Sequence, residues 1–306
     1  MTTLNSRDPL AVAVTEAIRT GDLAALRALL AEHPALASAG ITESEDQDRA
    51  GTRTLLHLVT DWPGHYPRGP EVIATLVAAG ADPGARFVGA HAETPLHWAA
   101  SSNDVPAIDA LLKAGADIEA PGAVLGGGSP LADACGFGQW RAARRLVEHG
   151  AHVRLDDAAA LGLLDRVRAY VDQDPPSADA LDLAFWHACH GGQVAVARYL
   201  HGLGADLDRV GPDERTPLDI ARHQDADEVV AWLVGEGARA TRRRPAPRTE
   251  EPADPDGGTE HAEHVEHVED AEDAEDAEDA EHVEQAEQAE QAEQAEHVED
   301  AEEAAG

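Results

Sequence analysis

Four histidines, His57, His65, His91 and His97, come with Asp61 from one short stretch of a 306-residue chain. Imidazole nitrogens and carboxylate oxygens are zinc ligands, and an open fourth position would allow metal-assisted hydrolysis. The surrounding motifs do not support that chemistry. No H-E-x-x-H, no Cys pair and no nucleophile elbow accompanies these residues. Gly126-Gly127-Gly128-Ser129 is not followed by Gly-Lys-Ser/Thr, so no phosphate loop is expected. We therefore expect no catalytic residue, no metal site and no cofactor. A metal-dependent hydrolase or other enzyme using the His57/His65/His91/His97 region is the alternative.

The two cysteines point the same way. Cys135 and Cys189 take the same place in aligned segments, LADAC and FWHAC beside LHWAA, where a small apolar residue fits. One unit separates them, about 20 Å at 8–10 Å per packed layer. A disulfide needs Cα atoms within about 7 Å. Free thiols in a reducing compartment are expected, and with them a cytoplasmic location.

The elements that hold these residues recur. Gly-Ala marks stand at Gly80, Gly115, Gly150, Gly204 and Gly237, at steps of 35, 35, 54 and 33 residues. Such a period is the mark of a stacked solenoid whose units cannot bury their apolar faces alone. In the clearest unit Thr94 is an N-cap and Pro95 opens a short first helix. Val105, Ile108, Leu111 and Leu112 stripe the second helix, which Gly115 stops in a left-handed conformation. The 54-residue step contains a shortened unit, 158–175, that matches the N-terminal TEAIRTGDLAALRALLAEHP at an offset of 141. Between Thr54 and Gly80 a Pro- and Gly-rich insert, residues 61–70, predicts an ordered loop carrying Trp62, His65 and Tyr66.

The pattern T-P-L-H-x-A-A, then an apolar stripe ending L-L-x-x-G-A-D, resembles the ankyrin repeat over roughly residues 10–240. Residues 54–151 are also similar to a group of uncharacterised bacterial ankyrin-repeat proteins. The resemblance implies an all-α solenoid of about six to seven helix pairs joined by β-turn fingers. The expected units are 9–40 (N-terminal cap), 51–90, 91–125, 126–155, 156–178 (shortened), 179–212 and 213–240. It implies a structural role for His57 and His97, the H of the motif. It also implies binding of a protein partner through the concave first-helix row. Read onto this sequence, that row offers Leu58, Asp61, Trp62, Trp98, Ser101, Ser102, Asp133, Phe137, His187 and His190. Finger tips at Phe87, Val88, Val124 and Leu125 are a second set.

The net charge of −36 is unevenly placed: 25 of 59 acidic residues and none of the 23 Lys and Arg lie in 250–306. Residues 1–249 carry −11, which argues against a nucleic-acid footprint. No apolar run is long enough for a membrane span. An Arg- and Pro-rich linker (241–258) precedes a low-complexity tail (259–306) in which Glu recurs every third residue from Glu281 to Glu299. A period of three builds no apolar stripe on a 3.6-residue helix, so this acidic tail is expected to be disordered. It suits a basic partner, or a role as acidic buffer or nucleic-acid mimic.

Overall fold

The computed structural model describes residues 3–42, 51–89, 91–124, 127–212 and 214–241. The chain divides into Met1–Arg244 and Pro245–Gly306. The tail expectations lie outside the described residues.

The first unit is a stack of helix pairs. Helices α1 (Pro9–Arg19) and α2 (Leu23–Glu32) form the N-terminal pair. A 3₁₀ turn (Pro34–Ser38) follows, and strands β1 (Thr3–Asn5), β2 (Gly40–Thr42) and β3 (Thr52–Thr54) flank it. Five further pairs follow: α3 (Leu55–Thr60) with α4 (Gly69–Ala78), α5 (Pro95–Ser101) with α6 (Val105–Lys113), α7 (Pro130–Gly136) with α8 (Trp140–Glu148), α9 (Leu155–Ala160) with α10 (Leu164–Gln173), and α11 (Ala178–His190) with α12 (Val194–Gly202). Helices α13 (Pro217–His223) and α14 (Asp227–Glu236) complete the described body. The first helices pack in file, α1 on α3 on α5 on α7 on α9 on α11 on α13.

Each Gly-Ala mark works as the sequence suggests. Gly80, Gly115, Gly150, Gly204 and Gly237 all have φ between 86° and 105°. At the α6 end, Gly115 N–H donates to Leu112 O and Ala116 N–H to Leu111 O, both at 3.0 Å. These bonds satisfy carbonyls that the helix leaves open, and a side chain at φ near +90° would be strained.

Four of the second helices bury a matching triplet: Val72-Ile73-Leu76, Ala107-Ile108-Leu111, Ala142-Ala143-Leu146 and Val196-Ala197-Leu200. Val105 and Leu112, expected in the stripe, flank it and are only half-buried. The shortened unit repeats the N-terminal one closely: α10 has the bounds of α2 displaced by 141 positions. Gly21 and Gly162 both take positive φ, and Leu26 and Val167 are both buried.

The chain is helical, as expected, with one addition: a small mixed sheet in the order β1-β2-β3, parallel then antiparallel. Its outer edge continues into the next finger, where Thr52 and Val88 exchange backbone hydrogen bonds of 2.8 and 3.0 Å. Pairing satisfies backbone groups that a bare finger would leave to water.

Candidate functional site

The histidines of the motif are built into the frame. His97 Nδ1 lies 3.1 Å from Thr94 N and 2.9 Å from its hydroxyl, while Nε2 lies 3.3 Å from Gly128 O in the next finger. His57 repeats this with Thr54 at 3.3 and 2.8 Å, and its Nε2 meets Glu93 O at 3.2 Å. Each ring ties a helix start to the following finger. Burial holds both pKa values down to about 4, although the finger carbonyls act against the shift. Asp219 does the same work in the last unit, accepting from Thr216 and from Thr241 N and Oγ1 at 2.7 and 2.6 Å. His65 is also tethered: its N–H donates to Asp104 Oδ2 at 2.8 Å and its Nε2 lies 3.0 Å from Ser102 O. Among the described residues no group of three or more His, Cys, Asp or Glu is placed to hold a metal ion. Cys135 and Cys189 are free and buried, and burial raises both thiol pKa values.

The first-helix row splits into interior and surface. Leu58 belongs to the core, because α3 is packed between α1 and α5. Asp133 is buried as well, and its Oδ1 accepts from Val124 N at 3.0 Å, so it anchors a finger. Ser102 is buried, its hydroxyl 3.4 Å from Thr60 O. These three positions are corrected from surface to interior. Phe87 is not a free tip either: its ring packs 5.4 Å from Trp98 and 6.3 Å from His57. Val124 is half-buried and Val88 exposed, while Leu125 lies outside the described residues.

What remains at the surface forms two recesses. Trp62 is 80% exposed and Phe137 45%. With Trp98, Ser101, Asp61, Val124 and Glu93 they line a pocket of about 190 Å³. Asp61 is paired with Arg53 at 2.7 Å. The second recess, about 620 Å³, runs from Phe137 past Leu183, Trp186 and His187 to Ile220 and His223. His190 is buried at its base, packed against Trp140 and Trp186 at 5.2 Å, and burial lowers its pKa to about 4. The position-by-position reading missed Glu93, the residue before the Thr-Pro pair; its burial depends on the aromatic pocket around it, which no local pattern announces.

A family model described as ankyrin repeats matches residues 65–157 in three copies. No curated protein matches the chain. Among the described residues no helix is long and apolar enough to cross a membrane. The helix pairs seen in the fold and the family match coincide over 65–157, so this stretch of the chain is built of ankyrin repeats.

Proposed function

We propose that this protein is a non-enzymatic scaffold that binds another protein along its concave first-helix row, through the Trp62, Trp98 and Phe137 rings and the recess lined by His187. The observation that carries this reading is Trp62, a large apolar ring left four-fifths in water at 80% exposure, on the rim of a groove. An exposed indole next to a second aromatic and polar rim groups has the make-up of a binding anchor. The enzyme alternative asks for free imidazoles, and His57 and His97 spend Nδ1 on the N-cap threonine of their own helix and Nε2 on the following finger. Two buried free thiols fit a cytoplasmic scaffold.

Trp62→Ala combined with Phe137→Ala tests the reading. Both side chains are exposed, so the fold should be retained within about 0.5 kcal/mol. Affinity capture from cell extract, quantified by mass spectrometry, should lose its specific partner in the double variant. Trp98→Ala is a poorer test, because Trp98 packs on His57 at 4.9 Å. Unchanged capture by the double variant, with the fold intact, would reject the groove.

A further inference from the structure

The small pocket beside Trp62 contains a buried carboxylate with no cationic partner among the described Lys and Arg residues. Glu93 is only 8% exposed. The Trp98 indole donates to its carboxylate. Arg53, at the edge of this region, pairs with Asp61, and no Lys or Arg among the described residues forms an ion pair with Glu93. Burial pushes its pKa up, with the Trp98 hydrogen bond and His91 acting in the opposite direction. A carboxylate taken out of water without a counter-cation weakens the fold.

The walls of the pocket have the complementary property. Aromatic faces attract cations electrostatically, tryptophan most of all. Trp98 is fixed in place against His57 at 4.9 Å and Phe87 at 5.4 Å, which also touch each other at 6.3 Å. Phe137 and the exposed Trp62 stand on the same pocket, whose roughly 190 Å³ suits the head of one long side chain rather than a folded element. The −11 charge of residues 1–249 would draw a basic partner toward this surface.

We propose that this pocket receives an arginine or lysine side chain from a basic segment of the protein partner, with Glu93 as its counter-charge and Trp62, Trp98 and Phe137 as its walls. The inference rests on the groove-binding reading above and adds the chemistry of the occupant. Glu93 then trades stability for binding, as functional sites commonly do.

The test uses the full chain, ¹⁵N-labelled, with the Trp62 and Trp98 indole N–H resonances assigned through Trp62→Phe and Trp98→Phe. The probes are N-acetyl-arginine methylamide, its lysine counterpart, and the citrulline analogue as a neutral isostere. Arginine and lysine should give saturable shifts of both resonances, and citrulline none. Glu93→Gln keeps the shape and the acceptor for Trp98; it should weaken arginine binding at least about tenfold while the melting temperature stays level or rises. Equal shifts from citrulline, absence of saturable shifts, or full arginine affinity in Glu93→Gln overturns the proposal. A lowered melting temperature in Glu93→Gln makes the carboxylate a structural group and overturns it equally. Should the wild type sediment as a dimer and Trp62→Ala as a monomer, the pocket serves a second copy of this chain, and an external partner is ruled out. Capture that depends on Trp62 but ignores Glu93→Gln would leave the groove reading standing and remove only the cation.

Discussion

Phe185→Ala lowers the stability of the repeat body by about 3–5 kcal/mol. The ring is fully buried at the site where other units place Leu96, Leu131 or Leu218. Trp232 and His201 lie at ring-centre distances of 6.2 and 6.3 Å. Removing it deletes apolar contacts and leaves a cavity where α11 meets α12 and α14. A solenoid feels this beyond the site, because each unit is stable only through its neighbours. Total stabilities of about 5–15 kcal/mol are usual for a domain, so the loss is a large fraction. Urea unfolding followed by circular dichroism at 222 nm should show the midpoint fall steeply. A shift worth less than about 1 kcal/mol would mean that Phe185 does not hold these layers together.

Mild acid has the second large effect. His57, His97 and His190 have folded pKa values near 4, below the ordinary 6.5. Between these values the unfolded chain binds more protons than the folded one, so stability rises with pH across the window. Their contribution is complete above pH 6.5 and is lost as pH falls toward 4, by up to about 3 kcal/mol for each ring. Glu93 and Asp157 work in the opposite direction, because burial raises both carboxyl pKa values and protonation relieves them. Two carboxylates with modest upward shifts offset the three imidazoles only in part. The melting temperature should therefore drop sharply between pH 6.5 and 4.5, before most ordinary carboxylates take up protons. A flat profile across that interval would show that these rings protonate in place at little cost.

Much of the frame can be read from local signals. Each Gly-Ala mark reports a left-handed stop, because only glycine takes that backbone without strain. The 141-residue offset foretells the matching bounds of α2 and α10, since both units lack the Thr-Pro start and share one apolar rhythm. The insert after α3 is ordered, as its prolines suggest, with His65 and Asp104 holding it across 39 positions. Side-chain exposure on the first-helix row is harder to read. One motif position holds Leu58 in the core, Trp98 half-buried in a pocket wall and Asp133 bonded to a finger. Which outcome prevails depends on the neighbouring layer and finger, and those contacts are distant in sequence. The sheet escapes the helical rhythm for a related reason. Its strands are three residues each, too short for alternation to show.

The most direct measurement of groove binding is site-specific photo-cross-linking in cells. A benzophenone side chain would replace Trp62 on the groove rim in one version and Lys113 on the exposed end of α6 in another. A scaffold that grips its partner through the first-helix row gives one dominant protein adduct from position 62 and only scattered background from 113. Adducts of equal yield from the two positions, or a dominant adduct from 113 alone, would place the partner elsewhere on the molecule.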